Sequence, residues 1–187
     1  MSKTENTLLG AGEVYMYEFT GESIPEDTEI ETAANNVGDC SGGFEVEYKP
    51  KKYDIKNQYN KIVKSVITEE DINVKTGILT WNLKNLAMLS TANITLDTSK
   101  SKRILTFGSG NALKTVLFRF VHTKDNGKKI RFTSIMQGGN GFKLEFGASK
   151  ETTVDAELQA ISAIKNFLAQ IDEELTEEEL KALQSQA

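Results

Sequence analysis

Side chains that alternate in character every second residue dominate this sequence. They predict a mainly β fold, a β-sandwich or partial barrel of antiparallel strands with one flanking helix and a C-terminal helix. Three observations carry that expectation. Residues 113–146, LKTVLFRFVHTKDNGKKIRFTSIMQGGNGFKLEF, hold three runs of period two separated by turn-forming residues. Residues 44–76 repeat the pattern with one apolar and one charged face. With 187 residues, 39% of them hydrophobic, the chain is long enough to bury one sizeable core as a single domain spanning 1–187.

In chain order, residues 1–12 form an N-terminal arm containing the small and apolar run Thr7-Leu8-Leu9-Gly10-Ala11-Gly12. Glu13 to Phe19 reads as a strand with Val14 and Met16 facing opposite Tyr15, Tyr17 and Phe19, so both faces are expected to be covered. An interaction segment follows over 21–43. Its loop, 21–36, is acidic at Glu22, Glu26, Asp27, Glu29 and Glu31, which reads as a solvated surface. The loop lacks the glycine and alternating oxygen ligands of a calcium site. In Phe44–Lys49, apolar Phe44, Val46 and Tyr48 alternate with charged Glu45, Glu47 and Lys49, and Pro50 then predicts an interruption. Further strands are expected at Tyr53–Asn57, Ile62–Thr68 and Asp71–Thr76, with a turn at Tyr59-Asn60-Lys61.

Residues 77–90 predict a helix, with Leu79, Leu83, Leu86, Ala87 and Ser90 on one stripe, Thr80 or Asn82 as N-cap and Trp81 as an anchor. A hairpin around Ser99-Lys100-Ser101-Lys102 comes next. In the central stretch Asp125-Asn126-Gly127 predicts a tight turn, and Gln137-Gly138-Gly139-Asn140-Gly141 a break in the sheet. Val154, Ala156 and Leu158 mark a last strand. Residues 172–187 form a C-terminal helix and tail, in which Thr176 and Glu179 make a capping box before a thin stripe of Leu175, Leu180 and Leu183. A stripe that thin docks on something or frays.

Charge and chemistry narrow the function. A net charge of −5 and a pI of about 5.1 offer no global basic field for nucleic acid or anionic membrane. Lys124, Lys128, Lys129 and Arg131 near Phe118, Phe120 and Phe132 raise an RNA-binding sheet, but the glycine-aromatic-basic signature is missing and core phenylalanines are the simpler reading. No apolar run is long enough to span a bilayer, and the polar residues after Met1 lack the pattern of a secretory signal, so cytosolic synthesis is expected. Cys40 is the lone cysteine and His122 the sole histidine. An enzyme built on that pair is one reading, a small packed thiol the simpler one. No cofactor, metal or catalytic constellation is expected. Long hairpins with one wet face either cover a monomeric sandwich or line an assembly whose neighbours complete the sheet; composition leans slightly to the monomer without deciding.

Four segments carry a resemblance: Leu8-Leu9-Gly10-Ala11-Gly12-Glu13-Val14-Tyr15; Gly38 to Pro50; Lys75-Thr76-Gly77-Ile78-Leu79-Thr80-Trp81-Asn82-Leu83; and Arg119-Phe120-Val121-His122-Thr123-Lys124-Asp125-Asn126-Gly127-Lys128. In their joint order they resemble the tail tube proteins of bacteriophages, prophages and phage-tail-like bacteriocins of Gram-positive bacteria. The resemblance implies a structural virion protein and no enzyme. It further implies hexameric rings that stack into a hollow tail tube, assembled in the host bacterial cytoplasm. Two long hairpins per subunit, assigned to 44–58 and 62–76, would build an intersubunit β-barrel. Glu45, Glu47, Asp54 and Asn73 would then face an acidic lumen. DNA passes such a lumen without specific binding, and a tape measure protein is housed in it. Leu8, Leu9, Ile24, Pro25, Ile30, Leu175 and Leu180 become candidates for ring stacking. Implied partners are further copies of the chain, the tape measure protein, baseplate or distal tail and terminator proteins, and a sheath if the tail contracts, with no membrane. The alternatives are a monomeric β-sandwich that binds a ligand, and the tube of a contractile bacteriocin that carries no DNA.

Overall fold

The computed structural model describes residues 12–78, 80–108, 110–146 and 152–185. Within them the fold is mainly β, as the alternation predicts. The strands are β1 (Glu13–Glu18), β2 (Cys40–Lys56), β3 (Ile62–Ile78), β4 (Asn93–Asp97), β5 (Lys102–Thr106), β6 (Thr115–Thr123), β7 (Lys129–Glu145), β8 (Thr153–Ala160) and β9 (Ala169–Glu173). The helices are α1 (Asp27–Ile30), α2 (Leu83–Met88) and α3 (Glu177–Gln184). The large sheet runs β1-β6-β7-β8-β3-β2, every neighbour antiparallel, with β9 added alongside β7. Strands β4 and β5 form a separate ribbon.

The long strand β7 makes one sheet serve as two layers. Its first half pairs with β6 and β9, its second half with β8. β8 takes over from β9 at Met136, β6 pairing ends at Gln137, and a bulge follows between Gly138 and Gly141, so the glycine-rich segment bends the strand instead of ending it. Gly138 has a packing reason as well. A Cβ there would lie 2.3 Å from the carbonyl oxygen of Leu89, the residue that closes α2. The bend lets β2, β3 and β8 fold over β1, β6 and β7, and α2 closes the side. Between the layers lie Val14, Met16, Val74, Ile78, Leu86, Val116, Phe118, Phe132, Met136, Val154 and Leu158. Phe44 of β2 stacks on Phe120 of β6 at 4.2 Å between centroids, which ties the layers together across the core.

A second cluster covers the outer face of β1-β6-β7. Tyr15, Phe19, Leu117, Val121 and Ile135 pack there against Ile30 of α1, with Ile161, Ile164 and Phe167 beside them. The expectation that β1 is covered on both faces therefore holds.

Four local expectations change. Residues 44–76 are one hairpin of two long strands: Pro50 lies inside β2 opposite Glu70, on a strand that has no second partner among the described residues, the edge position in which proline is tolerated. The proposed hairpins 44–58 and 62–76 are thus the two arms of a single ribbon, turning at Asn57–Lys61. The helix expected over 77–90 is confined to Leu83–Met88, because Ile78 completes β3 and is buried opposite Val154. Asn82 caps it, its side chain accepting from the Lys84 amide at 2.9 Å, while Trp81 is 53% exposed and tilts onto Phe146 instead of anchoring the core. Leu79 lies outside the described residues. Asp172 and Glu173 belong to β9, and the terminal helix starts only after Thr176, whose capping box with Glu179 forms as expected.

Candidate functional site

The second half of β7 with β8, β3 and β2 forms a four-stranded segment, and alternation sorts its faces. One face carries Phe44, Val74, Ile78, Val154, Ala156, Leu158, Phe142 and Leu144 into the core. The opposite face is polar. Register places Glu45, Lys75 and Glu157 in one row, Glu47, Asn73 and Gln159 in the next, Lys49 opposite Asp71, and Lys143 opposite Asp155. Of the proposed lumen residues the structure brings Glu45, Glu47 and Asn73 together on this face.

Asp54 is not with them. It alternates to the other side of β2, beyond the sandwich, where it accepts a hydrogen bond from Ser65 Oγ at 2.6 Å. Nor is the face uniformly acidic. Lys75 Nζ lies 3.1 Å from Glu157, and Lys49 Nζ 2.7 Å from Glu47. The hydrogen bond to Glu157, followed by its charge and those of Glu45 and Glu47, raises the Lys75 pKa, so the ammonium stays protonated among them. The result is a mixed, hydrated surface on which acids outnumber bases.

Among the described residues both lateral edges of this segment are open: β2 pairs only with β3, and β7 past Gly138 pairs only with β8. The edge of β1, by contrast, is covered: the Met16 amide donates to Asn35 O at 2.8 Å and the Val37 amide to Val14 O at 3.0 Å. Open edges of this length template pairing with another chain.

Past the sandwich, β2 and β3 continue as a two-stranded arm. Every residue from 49 to 70 is exposed except Asn57, which is half-buried. At about 3.3 Å per residue, the stretch from Tyr48 to Asn57 projects roughly 30 Å. The arm is laced internally: Tyr48 donates to Glu70 at 2.6 Å, Lys51 reaches Glu69 at 2.8 Å, and Asn57 Oδ1 accepts the Tyr59 and Lys61 amides at the tip. Yet it displays large apolar side chains on both faces. Tyr53, 64% exposed, pairs with Val66 on one face; Ile67, 54% exposed, and Val63 lie on the other. A lone two-stranded ribbon is marginal in water, and one with uncovered apolar faces and open edges is an incomplete structure.

The remaining candidates divide. Ile30 is fully buried in the outer cluster and Ile24 packs beside it, so Ile30 is a core residue and not a stacking contact. Pro25 is half-buried, while Leu175 and Leu180 are exposed. Leu8 and Leu9 lie outside the described residues.

In the acidic loop Glu22, Glu26 and Glu29 are exposed as expected, but Glu31 is turned inward and Asp27 joins it in an ion-pair network. Glu31 binds Arg131 Nε at 2.5 Å and Lys129 at 2.7 Å, and lies 3.4 Å from Arg119; Asp27 also pairs with Arg119, and Glu174 binds Arg131 at 2.7 Å. Both arginines are buried on the outer face of β6 and β7, with Arg119 also donating to Thr133 at 3.0 Å. Burial works against the Glu31 carboxylate, but the hydrogen bonds from Arg131 and Lys129 outweigh it and hold its pKa below the usual range. This network clamps α1 and the β9 end to the sheet. Its sequence signal was two arginines at alternating positions on a face otherwise built of Leu117, Val121 and Ile135. It also disposes of the basic cluster, since Lys124 pairs with Glu173, Lys129 and Arg131 are engaged, and Phe118 and Phe132 are buried.

Burial raises the Cys40 thiol pKa, the opposite of what activates a nucleophile. Among the described residues no three His, Cys, Asp or Glu side chains cluster to hold a metal, and no helix is long and apolar enough to cross a membrane. The chain matches no protein-family model, and a comparison with curated proteins returns no match.

Proposed function

We propose that this chain is a self-assembling structural subunit that closes into rings through its open-edged polar sheet and stacks those rings into a hollow tube. The observation that carries the reading is the four-stranded segment with a wet face, a core-packed face and two open edges. Joining the β2 edge of one copy to the β7 edge of the next satisfies both edges at once. It repeats head to tail, the heterologous contact from which rings are made. The wet faces of successive copies then line a common interior, and β2–β3 with β7–β8 supply the two hairpins each subunit contributes.

The particular tube we propose, from the resemblance, is the tail tube of a phage or of a phage-tail-like bacteriocin, six copies to a ring. A mixed hydrated lining rich in carboxylates repels a phosphate backbone at short range and offers DNA no continuous basic track to adhere to. In that setting the chain works as part of the virion tail, around a tape measure protein and between baseplate and terminator proteins, with a sheath outside if the tail contracts. The projecting arm is the natural inter-ring element, because its apolar faces have no cover among the described residues. A monomeric ligand-binding sandwich would use the exposed cleft beside Trp81, but gives no account of the arm.

Electron microscopy of the purified protein at rising concentration, beside its mass in solution, tests the reading. Rings or hollow tubes are expected. A chain that stays monomeric at every concentration, with baseplate proteins added, contradicts it.

A further inference from the structure

Two exposed features of the molecule complement one another. One is a cleft of about 520 Å³ between the start of α2 and the β4–β5 ribbon. Its lining combines apolar Trp81, Leu83 and Leu96 with basic Lys102 and Arg103, and Asn82 and Ser101 complete it. Leu96 is 68% exposed and stands opposite Arg103 in the ribbon. Neither Lys102 nor Arg103 makes an ion pair among the described residues.

The other feature is α3. No residue of this helix is buried, and Leu180 and Leu183 are 48% and 56% exposed. They lie three residues apart and share a face. Glu177 stands one turn before Leu180 on the same side, and Glu178 adds a second carboxylate to the first turn. The helix is thus apolar along a short stripe and acidic at the end that leads it, the inverse of the cleft.

The two do not meet within one chain in this structure, where no α3 residue is among those lining the cleft. Glu173 pairs with Ile130 and the Glu174 amide donates to Lys129 O, so α3 departs from the start of β7. Trp81 touches Phe146, just past the other end of that strand.

We propose that α3 of one copy docks in the Trp81–Leu96–Arg103 cleft of a second copy. Leu180 and Leu183 enter the cleft, and Glu177 and Glu178 meet Lys102 and Arg103. The contact joins two different surfaces of identical chains, so it is heterologous and propagates from copy to copy. It rests on the assembly reading and assigns to it a stacking contact distinct from the β2–β3 arm.

Trp81 is the chain's single tryptophan, so its emission reports occupancy of the cleft. The experiment follows that emission and the sedimentation of the full-length protein together as concentration rises. Compared are the wild type, Lys102→Glu with Arg103→Glu, Glu177→Lys with Glu178→Lys, and an equal mixture of the two double variants. All substituted positions are exposed, and thermal unfolding of each variant verifies its fold. The wild type is expected to shift Trp81 emission to the blue as it associates. Each double variant alone is expected to associate at least roughly tenfold more weakly, and the mixture to recover association because opposite charges meet again. Rings or tubes that form without a change in Trp81 emission, or equally well from either variant alone, overturn the docking and leave the assembly reading standing. A blue-shifted emission in the monomer that moves red on Leu180→Asp also overturns it, placing α3 in its own cleft. A wild type that never associates overturns both.

Discussion

The β1-β6-β7 layer and the β2–β3 arm share the same alternation of apolar and polar residues and meet opposite fates. In β6, Val116 and Phe118 are buried against one layer, Leu117 and Val121 against another, and even Arg119 is buried among carboxylates. In the arm, Tyr53, Ile55, Val63, Val66 and Ile67 alternate similarly and all are exposed. The difference teaches that alternation sets which side chains share a face, while burial depends on what stands opposite that face. For β6 the partner is in the chain. For the arm, we argue, it is another copy.

That contrast can be broken by substitution, and the largest effect on the stability of the isolated chain is expected in the doubly covered layer. Phe118→Ala should cost about 3–5 kcal/mol in urea unfolding, because Phe44 and Phe132 pack on its ring and the site has little room to collapse. A value below about 1 kcal/mol would mean the layers are not packed as described.

Next is the arginine clamp. Glu31→Gln should cost about 2–3 kcal/mol, since it removes from two buried arginines a shared carboxylate. The sign of its pH dependence follows from the lowered pKa. Stability from Glu31 is fully present above the ordinary carboxylate value of about 4.3 and is lost as pH falls through the lower folded-state value. The gap between wild type and variant should therefore close on acidification below about pH 4. A gap that widens there would contradict the clamp.

Gly138→Ala should follow at about 1–3 kcal/mol, because its Cβ would press on the Leu89 carbonyl and push α2 off the bend in β7. The smallest effect is expected in the arm. Tyr53→Ser with Val66→Thr should change monomer stability by no more than about 0.5 kcal/mol while abolishing tube formation in micrographs. Destabilisation comparable to Phe118→Ala would show that the arm already belongs to the core.

How much of this was legible in the sequence follows from range. Short-range pattern gave the strands β1, β6 and β8, the capping box at Thr176 and Glu179, and the turn at Asn126-Gly127, whose Gly127 takes φ 79°. Glu45, Glu47 and Asn73 shared a face on alternation alone, and register confirms it. What failed depended on distant chain. Pro50 looked like a strand end because nothing local says that β2 lies at an open edge. Gly138 to Gly141 looked like a break because the reason for a glycine, the approach of Leu89, comes from α2. Ile30, Asp27 and Glu31 looked like loop surface because Leu117, Arg119 and Arg131 come to meet them from far along the chain. The alternation that misplaced Asp54 was read across Pro50 as if a new strand began there.

In the proposed assembly the arm and the open edges are completed by other copies. Hydrogen exchange of the backbone amides, measured on the dilute chain and again on the assembled material, tests it most directly. The account predicts that in the dilute chain the amides of 49–70 exchange far faster than those of β6 and the first half of β7. On assembly, protection should appear in 49–70 and along the outer edge of β2, with little change in β6. Arm amides already as protected as β6 in the dilute chain, or unchanged between dilute and assembled samples, would contradict it.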